Sequence, residues 1–546
     1  MSFDFNTVTN QSPALENYNL FTSDKLLQDI TQKTKASWIT ETAIKFGEMM
    51  GRSEVIELGN QANRYAPVLK THDRFGNRLD IVEYHPAYHE LMRLSMQHEL
   101  HSLTWKTDKP GRFVARAVLV YLKHQIDEGT SCPLTMTFAC VPTLRINPVL
   151  AGEWLPKVLS EKYDLRFLPV SEKQSATFGM AMTEPQGGSD IRTNLTFAEK
   201  LDRDGSYEIT GRKWFCSAPM SDAFFILAQT CKGLSCFLLP RFTPDGRKNN
   251  IHFQRLKEKL GNRSNASSEV EFHGARGWII GEEGRGVANI METVRHTRLD
   301  CVVGSAATLR RVVAEAIHHC KYRRAFGKSL IDQPLMKNLL ADLVIESEAS
   351  TAFAFRLARS FDEADSTENE AIFSRFAVAV GKFWVCRRAI YVVSEALEIL
   401  GGNGYVEESI MPRLYRDVPV NSIWEGAGNI QCLDLLRSMR KMPDMIEILF
   451  QEFERFKGLN SYLDQFVSNV KIELSRPYDA EFRARKLTEK IALALQACAL
   501  FEYSAPFMAD AFCTARLNAE RSFSFGALDN ISNIDEILAR SSFTIA

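Results

Sequence analysis

The period of the apolar residues changes twice along this chain, and that change limits the folds open to it. From Met1 to about Gln174 the pattern is helical: Leu26, Leu27 and Ile30 follow Ser23 as an N-cap, and Phe113, Ala117, Leu119 and Val120 recur at near-helical spacing. From about Ser175 to Gly281 the period falls to two. Asp204-Gly205, set between Leu195–Ala198 and Ser206–Thr210, predicts a hairpin, and Phe224–Ala228, Cys236–Leu239 and Glu269–Phe272 read as further strands. After Gly286 the helical period returns. Asp332-Gln333-Pro334 predicts a helix start with an acidic N-cap and the apolar residues Leu335, Leu339 and Leu343; a second helix runs through Ile372, Phe376, Val380, Phe383 and Trp384 until Gly401-Gly402 stops it. Ile491–Leu495 belongs to another helical block. The expected class is α+β and multidomain: a helical domain over 1–174 opening on an extended arm, Asn10–Asn19, a β-domain over 175–281, a helical bundle over 282–440 and an additional helical domain over 441–546.

Length agrees, since 546 residues exceed what one core organises. With 66 Lys plus Arg against 67 Asp plus Glu the net charge is -1, so no global field draws the chain to nucleic acid or to an anionic membrane. The 11 cysteines show no Cys-x-x-Cys pair, which predicts buried thiols in a reducing compartment. Met1–Asn6 lacks a secretory pattern and no apolar run reaches spanning length, so a cytoplasmic protein without membrane contact is expected. His85 with His89, and His98 with His101, have helix-face spacing but no neighbouring carboxylate or thiolate partner, and no metal is expected.

Four segments carry the chemistry. Gly401-Gly402-Asn403-Gly404-Tyr405 and Ile423-Trp424-Glu425-Gly426-Ala427-Gly428-Asn429 let backbone approach a bulky ligand and set one carboxylate beside it. Ala181–Asp190, with Thr183-Glu184-Pro185-Gln186-Gly187-Gly188-Ser189 at its centre, offers hydroxyls and free amides to an anionic or heteroaromatic ligand. Arg323-Arg324-Ala325-Phe326-Gly327 pairs cations with an aromatic ring at a helix end, a combination suited to a phosphate and a stacked base. Taken singly, each has an ordinary reading as a helix C-cap, a loop or a partner of the helix dipole.

In this order, with Gly211-Arg212-Lys213-Trp214-Phe215-Cys216-Ser217 among them, the segments resemble the acyl-CoA dehydrogenase family of FAD enzymes over about Thr130 to Arg440. Ser131–Ala139, Lys259–Ser267 and Asn421–Gly426 are similar to the AidB subfamily, flavoproteins of the bacterial response to DNA alkylation, and that similarity extends over most of the chain. The resemblance implies an N-terminal helical domain, a middle β-domain and a C-terminal four-helix bundle, followed by the additional helical domain. It implies FAD lying between the β-domain and the bundle, an acyl-CoA or related thioester as substrate, and α,β-dehydrogenation with Glu425 as the base. Met182, Thr183, Gly188, Ser189, Phe215, Cys216 and Ser217 would then meet the flavin ring and pyrophosphate. Arg323 and Phe326 would contact phosphate and adenine across a subunit interface, with Gly401, Gly402 and Gly404 completing that half-site and Ile423, Trp424, Gly426 and Asn429 beside the base. At least a dimer follows, and a homotetramer is expected, with the N-terminal arm on neighbouring subunits.

Three departures from the family pattern bear on the cofactor: Glu398 for a glutamine, Ala427 for a hydroxyl residue and Asn429 for a glutamine. Phe215 also stands where a tryptophan is usual. The subfamily associates its C-terminal block with double-stranded DNA, yet residues 441–546 carry twelve Lys plus Arg against fifteen Asp plus Glu, a net of -3. Any DNA contact must come from a local patch, and Arg437 and Arg440 are the leading candidates. The competing reading is a flavin-retaining protein that binds duplex DNA or acyl-CoA with little turnover.

Overall fold

A computed structural model describes residues 7–201, 205–476, 478–529 and 532–541. They form two compact units, one of Glu57–Lys109 and Ile126–Asp300, the other of Met1–Ile56, Pro110–Gln125 and Cys301–Ala546.

The first unit is built on a sheet. A hairpin, β1 (Val68–His72) and β2 (Arg78–Glu83), precedes β3 (Phe178–Ala181), β4 (Phe197–Lys200), β5 (Ser206–Ser217), β6 (Ala223–Thr230), β7 (Gly233–Pro240), β8 (Ile251–Leu256) and β9 (Ser267–Ile280). Strands β6, β4, β5, β9 and β7 pair in that order and β7 returns to β6, closing a ring; β3 joins β6 and β8 joins β9. Closure removes free edges from the five strands of the ring, leaving β3 and β8 as the edge strands. The expected hairpin pairs Ala198 with Ile209 and Lys200 with Tyr207 around Gly205 at φ 72°, while Asp204 lies outside the described residues. Its first strand begins at Phe197, two residues later than the sequence pattern placed it, because Leu195 and Thr196 donate their N–H groups to the Glu184 carboxylate instead of a ladder. Ile209, Phe224, Ile226, Phe237, Leu239, Phe253, Val270 and Phe272 fill the interior.

The second unit is helical. Lys25–Lys33 starts at Asp24, whose carboxylate accepts the Leu27 N–H at 3.0 Å, so Asp24 and not Ser23 is the N-cap. Arg112–His124 is buried nearly throughout. The long helices are Pro334–Glu363 and Glu368–Ile399, together with the part of Gly286–Tyr322 from Cys301 onward. Pro334 takes the first helical position with Gln333 as N-cap; Asp332 falls in the preceding 3-10 turn and does not cap. Leu335 is 79% exposed while Leu340, Leu343 and Val344 are buried, so the first turn of this helix stands clear of the core. Gly428–Lys441 follows, then Met445–Glu454, Ser461–Leu474 and Ala484–Tyr503. The stretch Asn10–Asn19 is non-helical and lies on its own chain. Asn10 exchanges two hydrogen bonds with Arg324 (2.7 and 2.9 Å), His318 pairs with the Pro13 carbonyl and Arg311 with that of Leu15.

Candidate functional site

The sequence-predicted residues fall into one group in the sheet unit and two in the helical unit. In the sheet unit, β5 runs out past a bulge between Lys213 and Cys216, which turns the neighbouring side chains outward. Phe215 is 49% exposed and Ser217 half-buried on that side, with Ser217 Oγ 3.3 Å from Ser267 Oγ on β9. Cys216 points the other way. Its thiol is buried in the core and pushed up to about 12 by burial, so only its backbone is available to a ligand on the Phe215 side. The Trp214 N–H donates to the Thr183 carbonyl at 2.8 Å, which joins the Met182–Ser189 loop to this strand. A Cβ on Gly188 would stand 2.5 Å from Thr183 Oγ1, so only glycine permits that turn to fold so tightly, and Ser189 beyond it is exposed. An exposed ring, a polar rim and a close-wound backbone loop fit a flavin ring and its phosphate.

Two cations at this group were missed by the sequence reading. Lys257 lies 3.4 Å over the Trp214 ring and 4.9 Å from that of Phe215, and pairs with Glu269 at 2.6 Å. Lys213 is fully buried. It donates to Glu184 at 2.6 Å and to the Leu227 carbonyl at 2.7 Å, while Glu184 also accepts from Leu195, Thr196 and Gln186. Burial opposes ionisation of Glu184, but the Lys213 charge and these hydrogen bonds outweigh it and hold the carboxyl below the usual range. One apolar-walled cavity of this unit, about 360 Å³, is bounded by Tyr84, Tyr88, His89, Met92, Tyr163 and Met220; none of the sequence-predicted residues lines it.

In the helical unit, Glu425 sits half-buried at φ 57°, a left-handed conformation uncommon outside glycine, with Gly426 at φ 96° after it. Two buried side chains clamp this turn. Lys382 Nζ donates to the Gly426 carbonyl at 2.9 Å; Gln431 Nε2 donates to the carbonyls of Glu425 at 3.0 Å and Gly426 at 2.8 Å. Trp424 Nε1 is held by Asn421 Oδ1 at 3.0 Å, and Ile423 is exposed. Ala427 is the N-cap of Gly428–Lys441 and offers no side-chain hydrogen bond there, while Asn429 Oδ1 accepts from Arg485 at 2.7 Å. Neither Lys382 nor Gln431 has a local signature, because each is one polar residue in an otherwise helical pattern.

The remaining predicted residues cluster at the chain's N-terminal arm. Arg323 donates to the Asn10 carbonyl at 2.6 Å, and Asn403 to Gln11 at 2.7 Å. Phe326 (φ 50°) and Gly327 (φ 79°) form the turn of a two-residue hairpin between β10 (Arg324–Ala325) and β11 (Lys328–Ser329), which holds the Phe326 ring 97% exposed. Gly401, at φ 60°, and Gly402 have open space where a Cβ would stand; at Gly404 a Cβ would meet the Leu397 carbonyl oxygen at 2.2 Å. Glu398 is exposed, so its carboxylate is free to turn to solvent. Among the described residues no His, Cys, Asp and Glu cluster could hold a metal; His85 instead caps a helix by accepting the Ala87 N–H.

Residues 10–165 match the profile of the adaptive response protein AidB N-terminal domain, residues 179–275 the acyl-CoA dehydrogenase middle domain and residues 284–440 the acyl-CoA dehydrogenase C-terminal domain. The chain is 44% identical over 520 residues to AidB of Escherichia coli strain K12, covering 95% of each. It is 30% identical over 466 residues to acyl-CoA dehydrogenase family member 11 of Caenorhabditis elegans, covering 82% of this chain and 74% of the relative. The crystal structure of C. elegans ACDH-11 in complex with C11-CoA superimposes with a TM-score of 0.85 at 25% identity, over 99% of this chain and 93% of the other.

Proposed function

Because the chain belongs to the AidB branch of the acyl-CoA dehydrogenase family, whose cofactor is FAD, we propose that it dehydrogenates an acyl-CoA thioester with Glu425 as the base. The observation that carries this reading is a single carboxylate held half-buried on a turn whose two carbonyls are clamped by Lys382 and Gln431. A base so fixed can take the α-proton of the thioester without first reorganising its own backbone. The Cα–H bond breaks toward the Glu425 carboxylate, the electron pair becomes the new Cα=Cβ bond, and the β-hydrogen leaves as hydride. FAD, when bound, supplies the acceptor for that hydride. Phe215, Ser217, Met182 and Thr183 are proposed to seat its ring, Gly188 and Ser189 its pyrophosphate, and Arg323, Phe326 and the Gly401–Gly404 turn its phosphate and adenine. Anaerobic mixing with a panel of acyl-CoAs tests the reading: at least one should bleach the flavin absorbance, and Glu425→Gln should retain flavin yet slow bleaching about 10²–10⁴-fold. A parent that no acyl-CoA reduces overturns it.

A second reading, contact with duplex DNA, is favoured by one cluster. Arg476, Arg483, Lys486 and Lys490 lie within 3.6 Å of the single carboxylate of Glu473, so four cations face one anion on a block whose overall charge is negative. Arg437 is paired to Asp434 and Arg440 is exposed at the end of the same helix. Binding by such a patch would ignore sequence and fall with salt at a slope of about -0.9 per neutralised phosphate. Titration of duplex DNA at several salt concentrations, with Arg437→Ala/Arg440→Ala and Arg476→Ala/Lys486→Ala variants, locates it; no binding at low salt removes it.

A further inference from the structure

The start of the Gly428–Lys441 helix gathers more positive charge than its surroundings balance. Arg387, from Glu368–Ile399, and Arg485, from Ala484–Tyr503, converge there: a Cβ on Gly428 would stand 2.9 Å from Arg387 Nη2 and 3.5 Å from Arg485 Nη1. Both guanidinium groups also pack on the ring of Phe383, at 5.4 and 5.2 Å from its centroid. Among the described residues neither has a carboxylate within 4 Å. Arg485 spends one hydrogen bond on Asn429 Oδ1, and Arg387 Nε is buried with no partner. Their combined field already reaches Cys432, one turn into the helix, whose thiol burial pushes up and both arginines draw down. Two like charges sharing one ring repel each other, and five-donor guanidinium forks left open at short range are the arrangement that takes a phosphate bidentately. The helix end adds N–H groups that its N-cap, Ala427, leaves without a side-chain acceptor.

We propose that Arg387 and Arg485 form a seat for a phosphate group, so that the helical block beyond residue 440 contributes a ligand-binding residue, Arg485, to the turn that carries Glu425. The missing counter-charge is the ligand's. FAD brings a diphosphate and acyl-CoA brings three phosphates; the first source rests on the family's cofactor and the second on the dehydrogenation reading above. A side chain at Gly428 would enter the seat and displace the Arg387 guanidinium.

The test uses the holoprotein and an Arg387→Gln/Arg485→Gln double variant, with three readouts: flavin retained through gel filtration, the Kd of free CoA by calorimetry, and the thermal midpoint against inorganic phosphate at constant ionic strength. The double variant should lose about tenfold or more in one of them, as expected for removing charge-assisted hydrogen bonds. Loss of flavin with unchanged CoA affinity assigns the seat to the FAD diphosphate; loss of CoA affinity with flavin retained assigns it to CoA. A phosphate-dependent rise in midpoint that the parent shows and the variant lacks assigns it to free phosphate. Gly428→Ala keeps both charges and obstructs the seat, so it should move the same readout and decides alone if the double variant does not fold. All three readouts unchanged in both variants overturns the proposal, whatever the outcome with Glu425→Gln.

Discussion

At the level of single residues, Glu425 shows how strain and support go together. A non-glycine residue at positive φ costs roughly 1–3 kcal/mol and persists only where its neighbours over-determine it. Here Lys382 and Gln431, 1% and 0% exposed, hold the two carbonyls that fix the turn. With Glu425 as the proposed base, Gln431→Ala and Lys382→Met should keep the flavin and leave KM for the best acyl-CoA within about twofold, while kcat falls roughly 10- to 100-fold. Stopped-flow flavin reduction reads this directly, and an unchanged reduction rate would show that the clamp does not position the base. The carboxylate itself was legible in the sequence because Trp424-Glu425-Gly426 is a local pattern. Its supports were not, since Lys382 reaches the turn from 44 residues away and carries no spacing signal. Likewise Lys213 reads as a surface cation in Gly-Arg-Lys-Trp until the fold buries it against Glu184.

Among the elements, the helix Pro334–Glu363 departs most from what its sequence suggests. It buries Asp342, Glu346 and Glu348, charges that are costly inside a protein unless paired. Arg516 meets Asp342 and Glu346, Arg388 also reaches Glu346, and Arg540 holds Glu348 at 2.7 Å. Removing one partner leaves an uncompensated buried charge, so Arg516→Leu should lower stability by roughly 3–5 kcal/mol in urea or thermal melts, and addition of Asp342→Leu should recover part of it. A loss below 1 kcal/mol would show the pair to be solvated. Near the end of this helix Asp362 accepts the N–H groups of Phe113 and Val114 at the start of Arg112–His124. Burial raises its pKa from 3.8 to about 6 against those hydrogen bonds. Its folded-state value lies above its unfolded one, so the stability it contributes is complete below about pH 4 and is lost as the pH climbs through 6, by up to about 3 kcal/mol. Asp362→Asn should gain in thermal midpoint relative to the parent between pH 4 and pH 7; a constant offset across that range would refute the shift. The start of this helix was readable from Pro334 and the end of the next one from Gly401, but Leu335 and the buried acids were not, because periodicity reports apolar faces and is silent on which charges find partners.

For the whole molecule, the sequence's change of period marked the strands between Phe178 and Ile280 and the helices after Gly286. It missed the hairpin Val68–Glu83 inside the stretch 1–174 that it read as helical, because two short strands interrupt that pattern too briefly to change its period. The residues that each compact unit recruits from the first third of the chain depend on contacts far apart in sequence. The helical unit leaves Phe326, Leu335 and Tyr405 exposed by 97%, 79% and 80%, large apolar side chains of the kind that mark association surfaces. Light scattering should therefore find a particle larger than the 61.8 kDa chain, a homotetramer by the reading above, and Phe326→Glu should shift it toward smaller species with loss of flavin. A monodisperse monomer in the parent would contradict this. The arginines that answer the buried acids of Pro334–Glu363 also leave a genealogical mark. Arg516 and Arg540 come from beyond residue 440, and Glu452 from the same stretch meets Arg356 in return at 2.7 Å. A lineage that shed that stretch would leave Asp342 and Glu348 without the arginines that face them, while Glu346 would keep Arg388 and Arg356 would keep Glu370. A chimera grafting it onto a bundle without Asp342 and Glu346 would bring in Arg516 with neither of its carboxylates to face.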